Sequence, residues 1–263
     1  MIGFIGSGNM AGAIIRGLVS GGFSANEITV FDICREKAQS LADELSVNTA
    51  QSEKEIAEKC DKLVLAVKPD VFPSLLEKIG EELKAKDPLI ISIAAGKTTD
   101  FIASLLPYTP RLIRIMPNIN AKVQAAISAF CGNERADDSD KAFVKGFCDA
   151  FGRGIEIAEK NFSIYTAIGG CSPAFAFMFI DSLARAAVKN GMTKTDALEV
   201  AAQAVLGSAK LILESDEHPW KLVDAVCSPG GTTIEGVCAL QEKSFEAAVE
   251  AAVEASYNKD KKM

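Results

Sequence analysis

The chain of 263 residues contains a single histidine, His218. No two-histidine metal site can be built from it, and a Ser-His-Asp hydrolase would have to rest on that one ring. The seven cysteines, at positions 34, 60, 131, 148, 171, 227 and 238, are odd in number and include no C-x-x-C, so neither a disulfide framework nor a zinc ribbon is expected. Buried, reduced thiols are the expectation, and no metal site. Positive charge is also short: 28 Lys and Arg stand against 35 Asp and Glu, a formal charge of -7 that disfavours a phosphate-backbone partner. Long apolar runs are missing as well. The longest, residues 167–180, is interrupted by Gly169, Gly170 and Pro173, so no membrane-spanning helix is expected. A strand-like Ile2-Gly3-Phe4-Ile5 follows the first residue directly, so no secretory signal is expected. These absences point to a cytoplasmic chain without nucleic-acid or membrane partners.

The composition that remains, 48% hydrophobic and 24% charged, is that of an ordinary globular protein large enough to bury a sizeable core. In the first half, short β-branched runs at 2–5, 28–31, 63–67, 89–93, 111–115 and 126–130, with a weaker one at 155–157, alternate with helix-period segments. That alternation predicts βα units and a mostly parallel sheet. Met10, Ala13, Ile14, Gly17 and Leu18 recur at helical spacing, and Gly21-Gly22 closes that helix. After about residue 160 the pattern turns helical throughout. Residues 174–190 are apolar almost all round, and 196–213 are rich in Ala, Gly and Ser; Gly191 stops the first helix and Thr193, with Asp196, starts the second. The short helices that follow cannot cover so much apolar surface, so a homodimer or higher homo-oligomer is expected. The tail from Asn258 to Met263, with three lysines, is expected to fray.

Gly6-Ser7-Gly8-Asn9-Met10-Ala11 lies between the first strand and the first helix and matches G-x-G-x-x-G/A in the context that gives the motif meaning. Gly6 permits the tight turn, Gly8 lets backbone approach a pyrophosphate, Ala11 allows close helix packing, and the helix start offers N–H donors. Asp32 ends the second strand about twenty residues on, where a dinucleotide site expects an acid for the ribose hydroxyls. A carboxylate there repels a 2'-phosphate and favours NADH; Arg35, three residues later, either clamps such a phosphate or pairs with a nearby acid as a solvated helix residue. Both NADPH and NADH therefore stay open as cofactors.

Three more segments sit at strand ends on the edge where open α/β sheets bind ligands: Ala66-Val67-Lys68-Pro69, Ser92-Ile93-Ala94-Ala95-Gly96 and Met116-Pro117-Asn118. Their convergence argues more than any one of them. In the helical half, Gly169-Gly170-Cys171-Ser172-Pro173 and Ser228-Pro229-Gly230-Gly231-Thr232-Thr233 each read as a glycine loop leading into a helix. Such a loop presents unpaired N–H groups and a hydroxyl, an arrangement suited to a substrate carboxylate; a plain helix cap after a turn is the other reading. Asp181 and Arg185, the only charges within a strongly apolar stretch, stand at i,i+4 and read either as a buried ion pair or as substrate contacts.

Taken in order, G-S-G-N-M-A, A-V-K-P, S-I-A-A-G, R-x-M-P-N at 114–118, G-G-C-S-P-A-F and S-P-G-G-T-T resemble the pyrroline-5-carboxylate reductase family over essentially the whole chain. The resemblance implies an N-terminal Rossmann-like domain, set at 1–158, and an all-α dimerisation and substrate-binding domain, set at 159–263. It implies reduction of a cyclic imine, 1-pyrroline-5-carboxylate, to L-proline, the last step of proline biosynthesis. The cofactor set is then Gly6, Ser7, Gly8, Asn9, Met10, Ala11, Asp32, Arg35, Ala66, Val67, Lys68, Pro69, Ala94, Ala95 and Asn118. Ser228, Gly230, Gly231, Thr232, Thr233, Cys171 and Ser172 are left for the substrate. In the family the loop matching 228–233 holds the carboxylate, and the hydroxyl matching Thr233 lies near the imine nitrogen.

The chain departs from the family's pattern at Glu53, Asn120, Arg185 and Ala225, and has Asp32-Ile33 where many members carry Asn-Arg. Thr233, directly or through a water, orients or protonates the nitrogen, or else the iminium is drawn from solution. His218, followed by Pro219 at a helix start, is expected to cap. Two other readings stand beside this one. A 3-hydroxyacid dehydrogenase-like oxidoreductase would need a lysine base near the start of the long helix, and residues 174–188 contain none. A non-catalytic nucleotide-binding paralogue would keep the pocket without turnover.

Overall fold

The computed structural model describes residues 1–262. Its first βα unit is β1 (Ile2–Ile5) and α1 (Asn9–Ser20), followed by β2 (Ile28–Phe31), α2 (Arg35–Leu45), β3 (Asn48–Thr49) and α3 (Glu53–Lys59). Next come β4 (Lys62–Leu65), α4 (Phe72–Lys86), β5 (Leu89–Ser92), α5 (Thr99–Ser104) and β6 (Arg111–Met116). β7 (Ala126–Gly132), α6 (Asp138–Asp149) and β8 (Gly152–Glu156) complete an eight-stranded sheet of order β3-β2-β1-β4-β5-β6-β7-β8. Every pairing is parallel except β6 with β7, so the mostly parallel sheet is as the alternation predicts. β3 is a pairing the pattern did not suggest, because its two residues carry no apolar run.

The strands alternate between two cores, one on each face of the sheet. Ile2 and Phe4 of β1, Val64 of β4 and Leu89 and Ile91 of β5 join Ile14, Leu18, Phe147 and Phe151 on one face. Ile5, Leu63, Leu65 and Ile90 join Phe72, Leu76 and Ile79 on the other. Burial on both faces is why these strands read as unbroken apolar runs. The register then sets one rung across five strands, Phe31, Ile5, Leu65, Ser92 and Arg114, so the segments that follow β2, β1, β4 and β5 leave the sheet at one edge.

The chain packs as two compact units: Met1–Gly170 together with the C-terminal residues from Lys259, and Cys171–Asn258. The sheet ends at Glu156, near the boundary set at 158, but the packing divides later. One reason is that residues 159–170 stay with the first unit: Phe162, opening α7 (Phe162–Tyr165), is buried against Ala129 and Cys131. The second unit holds α8 (Ser172–Lys189), α9 (Lys194–Glu214), α10 (Pro219–Val226) and α11 (Thr232–Glu242), with α12 (Phe245–Asp260) running past its end. Gly191, with φ +99°, follows α8, and the Thr193 hydroxyl accepts from the Asp196 N–H at 3.2 Å to start α9, as the spacing predicts. The tail does not fray where expected, since α12 continues through Asp260; Met263 lies outside the described residues.

Two expectations need correcting. The segment 166–171 is a π-helical turn that joins α7 to α8, so Gly169, Gly170 and Pro173 do not break the helix. Pro173 sits in the first turn of α8, where its missing N–H costs nothing. The resulting run, Glu159–Lys189, is long and apolar enough by length and composition alone to cross a membrane, a test that the core helix of a soluble protein also meets. The thiols are not all buried: Cys60, Cys131 and Cys148 are, Cys34, Cys171 and Cys227 are half-buried, and Cys238 is exposed.

Candidate active site

β1 leads into Gly6, whose φ of +104° belongs to the left-handed half of backbone space. A Cβ built there would stand 2.5 Å from the Ala66 carbonyl oxygen, so the turn needs glycine both for conformation and for space. Gly6→Ala is expected to cost about 1–3 kcal/mol through backbone strain alone, read as a lowered thermal midpoint. Gly8 is the N-cap of α1 and no side chain caps that helix, while a Cβ on Gly8 would meet nothing within 4 Å. The first N–H groups of α1 therefore face open space beside a bare backbone, which fits a pyrophosphate. Ala11 is buried at the helix–sheet contact, as the motif requires, and Asn9 and Met10 continue the first turn.

Asp32 closes the same loop from β2. Its Oδ2 accepts from the Ser7 N–H at 2.8 Å and from Ser7 Oγ at 3.0 Å, and its Oδ1 accepts from the Cys34 N–H at 2.9 Å. A carboxylate offers about four acceptor positions, so roughly one remains on Oδ1 for a ribose hydroxyl. Arg35 opens α2, is exposed, and forms no ion pair among the described residues, so the pairing with a nearby acid does not form. A cleft of about 870 Å³ runs beside the loop, lined among others by Ser7, Gly8, Asn9, Lys37 and Lys122. The latter two are cations that the motifs did not single out. Glu53 is committed elsewhere: its Oε2 accepts from Lys78 at 2.8 Å.

Along the rest of the edge, the Ala66 N–H donates to the Ile5 carbonyl at 2.9 Å, Val67 is half-buried, Lys68 is exposed, and Pro69 begins a short turn. Ala94 is buried, with its N–H donating to the Ser92 hydroxyl at 3.3 Å, and Ala95 is exposed. Asn118 is buried and its amide is spent on the protein: Oδ1 accepts from the Asn120 N–H at 3.2 Å and Nδ2 donates to the Gly169 carbonyl at 2.8 Å. It ties the end of β6 to the π turn. That turn is crowded, since a Cβ on Gly169 would stand 2.7 Å from the Tyr165 ring. Because 166–171 is helical, Cys171 and Ser172 do not sit in a loop of free N–H groups as expected.

The 228–233 segment is the loop it was read to be. Gly230 has φ +67°, the Gly231 N–H donates to the Ser228 carbonyl at 3.0 Å, and Gly231 is the N-cap of α11. No side chain caps α11, and Thr232 and Thr233 are its exposed first two residues. The plain helix-cap reading of Thr233 is thereby removed. Its hydroxyl and the uncapped N–H groups are available to an anion.

Comparisons with known proteins find matches at both ends of the chain. Residues 159–263 match the family model described as pyrroline-5-carboxylate reductase dimerisation, and residues 1–96 match one described as NADP oxidoreductase coenzyme F420-dependent. Over 263 residues the chain is 43% identical to pyrroline-5-carboxylate reductase of Escherichia coli, covering 100% of this chain and 97% of that one. The chain belongs to the pyrroline-5-carboxylate reductase family. Among solved reductase structures, that from Coxiella burnetii is 32% identical with a TM-score of 0.94, covering 99% and 97% of the two chains. The reductase of Plasmodium falciparum, solved with NADP bound, is 31% identical with a TM-score of 0.87 and coverage of 99% and 96%.

Other site-related residues fall where local rules put them, or do not. His218 caps α10, its Nδ1 accepting from the Trp220 N–H at 3.3 Å, as expected. Asp181 does pair with Arg185, and also with Lys194 at 2.6 Å, but the Arg185 side chain is 77% exposed on this chain, so the pair is not buried in the subunit. Hydrogen bonds from both cations hold the Asp181 carboxyl below its usual range. Missed altogether was Glu159, which holds Thr99. Nothing within a few residues of Glu159 signals a partner so far along the chain.

Proposed function

We propose that the chain reduces 1-pyrroline-5-carboxylate to L-proline with NADPH or NADH, in the cytoplasm, as the last step of proline biosynthesis. The observation that carries the reading is the uncapped start of α11, where a glycine at φ +67° precedes two exposed threonines in the S-P-G-G-T-T stretch. Residues 1–158 are the dinucleotide-binding domain in this reading, and 159–263 bind substrate and form the homodimer. The backbone N–H groups of Gly230, Thr232 and Thr233 hold the substrate carboxylate, the turn that presents them being closed by the Gly231 N–H on Ser228, and Cys171 and Ser172 border the ring. Thr233 orients the imine nitrogen or passes it a proton, directly or through water.

On the cofactor side, Gly6, Ser7, Gly8, Asn9, Met10 and Ala11 would hold the pyrophosphate. Asp32 and Arg35 would meet the adenosine ribose, and Ala66, Val67, Lys68, Pro69, Ala94 and Ala95 the remainder. Asn118 acts from behind by fixing the end of β6. When bound, the reduced nicotinamide supplies the hydride that the imine carbon takes up. A dehydrogenase of the 3-hydroxyacid type would need a lysine at the start of α8, and the lysine of that helix, Lys189, lies in its last turn.

Turnover of pyrroline-5-carboxylate with either reduced cofactor tests the reading. Cofactor binding without turnover would instead describe a non-catalytic paralogue. The remaining acceptor position on Asp32 favours a free ribose hydroxyl over a phosphate, so NADH is expected to be used at least as well as NADPH. Steady-state kinetics with both decide it. A preference of more than about tenfold for NADPH, near 1.4 kcal/mol, would mean that Arg35 and the neighbouring cations outweigh the carboxylate.

A further inference from the structure

Four side chains form a connected group that the reaction described above does not use. Glu159 follows β8 at the start of the Glu159–Lys189 run. Its Oε1 accepts from the Thr99 N–H and its Oε2 from the Thr99 hydroxyl, each at 2.8 Å. Arg114 of β6 places Nη1 3.4 Å from the same Oε1, and its guanidinium carbon lies 4.3 Å from the centre of the Phe162 ring. Arg114 is only 5% exposed, and its Nε is buried without a hydrogen-bond partner.

Stability alone is a poor account of this group. Arg114 is buried while the Glu159 side chain is 28% exposed; an ion pair with one partner taken out of water is often no more stabilising than apolar side chains of the same volume, and the orphaned Nε adds a cost. What the group does secure is position. Residues 93–98 leave β5 and carry Ala94 and Ala95; their far end is Thr99, which is buried and gripped by both oxygens of one carboxylate. The carboxylate is itself held against β6, at the rung Arg114 shares with Ser92. The loop is thus anchored at both ends to one rung of the sheet, one end by the strand and the other by Glu159. Farther along the same helical run, the Gly169 carbonyl accepts from Asn118, so the element bearing Glu159 is also tied to the end of β6.

We propose that Glu159 is a positioning residue for the reductase reaction, clamping Thr99 so that residues 94–98 keep their place beside the reduced cofactor. This rests on the assignment of that strand end to the cofactor. Glu159→Gln keeps one acceptor for Thr99 and loses the second and the charge opposite Arg114. Displaced contacts act on the reactant they touch, so the KM for NADH is expected to rise about tenfold while that for the imine acid changes less than about twofold. Nicotinamide fluorescence, titrated without substrate, should show a matching loss of NADH affinity, and this readout stands even if the parent chain does not reduce the imine. Thr99→Val should shift the same two quantities in the same direction, and Thr99→Ser should restore both to within about twofold of the parent. The valine and serine pair carries the test if the glutamine variant does not fold. A lowered thermal midpoint with parental NADH affinity in Glu159→Gln and Thr99→Val would overturn the proposal, as would equal rises in both KM values.

Discussion

Thr233→Ala is expected to lower kcat/KM for the imine by roughly ten- to a thousandfold, with dinucleotide affinity little changed. Thr233 is the second residue of α11, and the N-cap position belongs to Gly231, so removing the hydroxyl takes no capping bond away from the helix. A large kinetic effect would therefore have to come from the substrate. Thr233→Ser keeps the hydroxyl and should recover much of the activity. Steady-state kinetics of the two variants, with nicotinamide fluorescence following cofactor binding separately, make the comparison. Parental turnover in the alanine variant would leave the carboxylate to the backbone N–H groups alone and remove Thr233 from the chemistry.

A charge placed on the apolar face of α9 should be still more damaging. The second unit has a very small core of its own, with Ala184, Ala197 and Ala201 packed against Ile180 and Ala187. Around it Phe177, Met178, Leu206 and Leu213 stand 59%, 71%, 61% and 75% exposed. Apolar surface on this scale is covered by a partner in a stable protein, and a second copy fits the match to a dimerisation model. Leu206→Glu on a free surface should change stability by about 0.5 kcal/mol or less. Inside a homodimer it buries an unpaired carboxylate, at a cost of about 3–5 kcal/mol. Sedimentation at low micromolar concentration should show the parent as a dimer or larger, and the variant dissociated, unfolded or aggregated. A folded parent monomer near 27.9 kDa would sink the interface.

Several features of the site were legible because they depend on residues close together in the chain. The turn at Gly6 and the bare N-cap at Gly8 follow from a glycine motif between an apolar run and a helical one. Thr193 and His218 cap as predicted, since a cap is one hydrogen bond made to the N–H two or three residues on. The homodimer was legible too, from the amount of apolar surface on two helices and how little remained to cover it.

Local reading misled at residues 166–171. Two glycines and a proline are the usual marks of a break, yet a π turn absorbs the first two, and the proline falls in the first turn of α8, where no N–H is needed. By itself the sequence determined the βα alternation, the dinucleotide turn, the caps and the need for a partner, all of which follow from periodicity or from bonds spanning a few residues. Only the tertiary structure decided the antiparallel entry of β7, the filling of Asp32 by Ser7, the commitment of Glu53 to Lys78 and the grip of Glu159 on Thr99. Those outcomes depend on which strands and helices become neighbours. A carboxylate takes whichever donor the fold brings within about 3 Å, and that donor can lie 25 or 60 residues away.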